Sequence, residues 1–194
     1  MTPMRSPRGA AGALILLVGI AIALAVGMTI GTGAELIVHL TLAATFLLLA
    51  SAAFDFHTPR WVAVIATIAM AAFGLVFLLQ AIADITGSDW LRRIAFDILG
   101  QQLERGLGYA FLFWCLGILI VDSGGWRRVL GAVVLGIVAV AEAYGLTLAA
   151  SGEVPPAALK LATLPVFLWL LVESMAPPGY CPVRPGGRAA AFRG

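Results

Sequence analysis

Five residues bring polar chemistry into otherwise apolar sequence: His39, Gln80, Asp84, Glu142 and Lys160. Ionisable groups at membrane depth are expensive, so each is a candidate functional residue. Glu142 is the deepest and must be neutral, paired or hydrated to be tolerated. Charges of both signs could converge on one outward-facing pocket suited to a proton or a small solute. Plainer roles compete: Asp84 and Lys160 at the water boundary, Lys160 by snorkelling, and His39 as a hydrogen-bonded packing residue.

Other chemistry finds little support. A metal site wants several His or carboxylates in fixed geometry, and the residues here follow no such spacing, so no metal is expected. His39 and His57 are the chain's two histidines. On one helix they would share a face but stand roughly 27 Å apart, too far to clasp one haem. No HExxH, GxSxG or phosphate-binding loop is present, and Gly31-Thr32-Gly33 reads as a turn. Cys115 lies in an apolar run and Cys181 in a polar tail, which argues against a disulfide. No catalytic residue is assigned and no cofactor is expected in this chain alone. Contact with a partner's pigment, quinone or haem stays open.

The elements that must position these residues are apolar runs at residues 10–30, 36–54, 61–85, 107–121, 129–150 and 157–172. Most are long enough to cross a bilayer as helices. The chain is 61% hydrophobic and 11% charged, where a soluble domain is roughly 25% charged. An all-α, polytopic bundle of six transmembrane helices is expected over residues 1–176, with a flexible basic tail at 177–194. The first run reads as a retained helix rather than a signal peptide, and Pro165 as a kink in the sixth. The net charge of +2 does not argue for nucleic acid.

Basic residues orient the chain. With the N-terminus inside, Arg5, Arg8, Arg60, Arg127, Arg128, Arg184, Arg188 and Arg193 fall on the inner side. Arg92, Arg93, Arg105 and Lys160 fall outside. Both termini are expected to be cytoplasmic, in a bacterial inner membrane.

The segment 88–105 reads as an amphipathic helix in the interface plane. Ser88 or Asp89 would cap it. Trp90, Leu91, Ile94, Ile98 and Leu99 would form its apolar face. Its plainer role is that of a connector, its sharper one a lid or docking surface. Gly19, Ala23, Gly27 and Gly31 form a ladder of small residues on the first helix, a face for close helix packing. Three even-numbered helices end alike, at Asp55, Asp122 and Glu173, and Arg60 and Arg127 follow the first two. Anchoring at the water interface is the reading favoured here.

Three functions follow, in order: a non-catalytic accessory subunit of a larger membrane complex; a small transporter or channel using the polar pocket; and a membrane enzyme acting on a lipid or quinone. Lipids and other membrane subunits are the expected partners. Cysteines placed at Thr86 and Gly152 should react with an impermeant thiol reagent in intact cells. Reaction only after permeabilisation would overturn the orientation.

Overall fold

A computed structural model describes residues 4–29, 33–152 and 161–177. Gly31, Lys160, the tail beyond Pro177 and the side chain of Ile98 lie outside the described residues. Among those described are seven α-helices and no strand: α1 (Pro7–Thr29), α2 (Ala34–Ala52), α3 (Arg60–Thr86), α4 (Asp89–Arg92), α5 (Gln101–Val121), α6 (Trp126–Ala150) and α7 (Leu164–Met175). Four stretches are long and apolar enough to cross a membrane: Pro7–Met28, Ala34–Asp55, Arg60–Thr86 and Trp126–Leu148. The protein is an integral membrane helical bundle. Gly106–Val121 and Leu164–Met175 are apolar but shorter.

Local chemistry sets the helix ends. Ser6 accepts the Gly9 amide at 3.0 Å, and Pro7 opens α1, the favoured N-cap and first-turn pairing. Gly87 ends α3 in the left-handed conformation, φ 64°, with its amide on the Ala83 carbonyl. Ser88 then caps α4 by accepting the Leu91 amide. Arg128 donates to the Leu119 and Ile120 carbonyls, satisfying backbone acceptors at the end of α5. Pro165 lies in the first turn of α7, which begins at Leu164 after a turn at Ala162 and Thr163.

The expected surface helix is not a separate element. A π-helical stretch, Arg93–Gly100, joins α4 to α5 without a loop. The whole run packs antiparallel to α3. Gln80 Nε2 donates to the Ala95 carbonyl at 3.1 Å near one end. At the other end, Gly117 faces Thr58 and Val62. Leu91, Ile94 and Leu99 are half-buried and Trp90 is exposed. The polar Gln80 side chain, buried on α3, takes its acceptor from this stretch and so helps hold it against a spanning helix.

Six helices close a ring in chain order: α1 on α2, α2 on α3, α3 on α5, α5 on α6, α6 on α7, and α7 back on α1. Aromatic rings fill the middle. Phe46 of α2 meets Phe73 and Phe77 of α3, Phe111 of α5 and Phe167 of α7 at centroid distances of 4.5 to 6.1 Å. One contact is tilted, two are edge-on and the Phe46–Phe77 pair is near-parallel, with centroids in the range favoured for aromatic pairs.

The small-residue ladder is occupied within the chain. A side chain at Gly19 would collide with Thr41 of α2, and Ala23 is buried. Gly27 is exposed, with Ala34 Cβ 3.6 Å from where its own Cβ would lie. Gly131 lets α7 approach α6: an added Cβ would lie 2.6 Å from the Trp169 ring. Gly19→Leu should lower unfolding stability in detergent by about 1–3 kcal/mol through overpacking, whereas Gly27→Leu should leave it near wild type. Equal effects would show that α1 does not use this face against α2.

Candidate functional site

Polar side chains gather at the two ends of the ring. At the end away from Arg5 and Ala176, His39 Nδ1 lies 2.7 Å from Asp84 Oδ2. His39 sits early in α2 and Asp84 in the last turn of α3, so the helix pairing brings them together. Arg92 Nη2 stands 3.9 Å from the other Asp84 oxygen. The His39 ring packs against Phe77 and edge-on to Phe96. Gln80 belongs to the same region but is spent on the Ala95 carbonyl.

Glu142 is not part of this group. It lies on α6, which packs on α5 and α7 rather than on α2 or α3. Four residues beyond buried Val138, it sits half-buried on the inward face of its helix. It has no hydrogen bond or ion pair among the described residues. Ring order is the reason: residues that share a depth need not share a neighbour.

The opposite end holds a denser cluster. Arg5 Nη1 lies 2.8 Å from Asp122 Oδ2 and 3.5 Å from Glu173 Oε2. The Arg5 and Glu173 side chains are 1% and 0% exposed. Arg127 Nη1 reaches Glu173 at 3.1 Å, and Ser123 donates its hydroxyl to the same carboxylate. The His57 amide and ring both meet Asp122. Ser6 donates to Asp55 at 2.7 Å. Two backbone bonds, Arg5 N–H to the Ala176 carbonyl and Ser6 N–H to the Ser174 carbonyl, tie the lead-in of α1 to the end of α7.

The acids read from sequence as interface anchors therefore converge. Asp122 and Glu173 are buried, and Asp55 is half-buried. Their repeated position at the ends of returning helices was visible in the sequence. Arg5, which lies against Asp122 and Glu173, was not connected to them by any spacing. No protein family matches the chain, and no characterised protein or solved structure resembles it.

The Ser6 and Ser123 hydroxyls are buried, each spent on a carboxylate of the cluster. Among the described residues, no group of three or more His, Cys, Asp or Glu could hold a metal ion. The aromatic core separates the two polar ends. Phe46 lies seven residues from His39 and nine from Asp55 along α2 and its terminal turn, about 10 and 13 Å at helical rise. What the arrangement does is brace. The terminal cluster joins α1, α5, α6 and α7 through charge, and the His39–Asp84 pair pins α2 to α3.

His39→Leu and Asp84→Leu should each cost about 1–3 kcal/mol, the penalty of leaving a partly buried polar group unpaired. The double variant should lose clearly less than the sum. Strict additivity in denaturation experiments would show that the two side chains do not act as a pair.

Proposed function

We propose that this chain is a non-catalytic accessory subunit of a larger membrane complex, crossing the bilayer six times with both termini on the cytoplasmic side. The observation that carries the reading is the filled interior. Rings from four helices occupy the space between the two polar ends, so a solute or proton path would have to pass through packed phenyl groups. This weighs against a transporter. The terminal acids and bases largely neutralise one another.

The docking face is assigned to α6. The small-residue ladder of α1 is taken up by α2, but α6 leaves most of its length uncovered. Val129, Val133, Ile137, Val140 and Tyr144 are exposed along it. Either lipid or a partner helix can cover such a stripe. Glu142 lies on the opposite, inward side of α6, so a partner would meet the stripe through apolar packing.

Purification in mild detergent tests this. The chain should bring down membrane partners in fixed stoichiometry. Val133→Trp with Val140→Trp should release those partners while the isolated subunit unfolds at an unchanged temperature. A chain that purifies without partners and moves a solute across liposomes would replace this reading with transport.

A further inference from the structure

The carboxylates of Asp122 and Glu173 are held without help from Arg5. Glu173 receives the Ser123 hydroxyl and the Arg127 guanidinium. Asp122 receives the His57 amide and lies 3.3 Å from the His57 ring. Apart from His57, in the turn before α3, these residues sit at the facing ends of α5, α6 and α7. Arg5 differs. It stands on the non-helical lead-in to α1, fixed there by backbone bonds to the end of α7.

Its guanidinium is buried between the two acids, yet none of its three nitrogens has an aligned hydrogen-bond acceptor among the described residues. The charges meet by distance, not by direction. The Ser174 hydroxyl, next to Glu173, is also buried and unpartnered. A guanidinium fitted to its place forms parallel N–H···O bonds with a carboxylate. Arg127 cancels one of the two negative charges and leaves one for an incoming cation.

We propose that this recess is a preformed binding site for a guanidinium-bearing segment, and that Arg5 occupies it exchangeably. The ligand is an arginine side chain on a non-helical segment, supplied by this chain's own lead-in or by a terminal segment of a partner subunit. Buried acids set the charge, and the end carbonyls of α7, which already accept two backbone amides, set the extended approach.

Chemical rescue tests it. Arg5→Ala should lower the thermal midpoint of the detergent-solubilised chain by about 10 °C. N-ethylguanidinium at millimolar concentration should restore most of that loss saturably. It should do nothing for wild type or for the double variant Arg5→Ala with Glu173→Gln. Rescue by ethylammonium to the same extent would overturn the guanidinium specificity. So would equal responses of Arg5→Ala and wild type. If Arg5→Ala cannot be recovered folded even when extracted with N-ethylguanidinium, while Arg5→Lys can, exchange is refuted. Repeating the titration on the chain isolated with its partners separates the two sources. A vanished response assigns the site to a partner's arginine, and a persisting response assigns it to Arg5.

Discussion

The buried charge cluster where the lead-in to α1 meets the ends of α5, α6 and α7 is the constraint that shapes ring closure. Removing a charge from water costs several kcal/mol unless an opposite charge and hydrogen bonds compensate. Here the cation comes from the lead-in to α1 and the anions from the ends of α5 and α7, so compensation requires that these elements meet. The same contact brings the Arg5 and Ser6 amides onto carbonyls that α7 would otherwise leave bare at its end. A short helix of twelve residues is thereby fastened to the first helix of the bundle.

Elsewhere the ring relies on close approach. In hydrocarbon, apolar helices gain little by leaving lipid for one another, so contact area and interhelical hydrogen bonds must supply the attraction. Gly12 and Gly19 on α1 admit Thr45 and Thr41 of α2, and Thr45 donates to the Gly12 carbonyl. Gly131 on α6 receives the face of Trp169, whose indole N–H reaches the Arg127 carbonyl at 3.0 Å. Small residues and large ones thus meet in pairs across the seams. The aromatic centre adds what those seams lack, a packed middle shared by α2, α3, α5 and α7.

Much of the helical layout was legible because apolar length and periodicity are local properties. The apolar runs, the Ser88 cap and the ladder on α1 all come from neighbouring residues. Pairing is not local. His39 and Asp84 could be suspected of meeting because two consecutive helices carry them to one end. Glu142 could not be placed, since its neighbours depend on the order in which six helices close. In the segment 88–105 the periodicity is local too: Arg92 and Arg93 are exposed and Leu91, Ile94 and Leu99 half-buried, but the bond from Gln80 to the Ala95 carbonyl was not legible. The convergence of the acids at 122 and 173 was hidden because nothing in the intervening sequence announces a cation at position 5.

Closure in chain order has a kinetic side. Each helix can dock on the one made before it, so most of the bundle assembles through contacts between sequential neighbours. The last seam is different, because α7 must return to α1. The lead-in to α1 therefore waits for α7, the longest loop closure among the described helix contacts. During that interval Arg5 lacks both of its acids until α5 arrives and one of them until α7 does. A chain stalled before α7 would carry an exposed, unsatisfied seam, a visible signature of incomplete synthesis for the membrane's proteolytic surveillance.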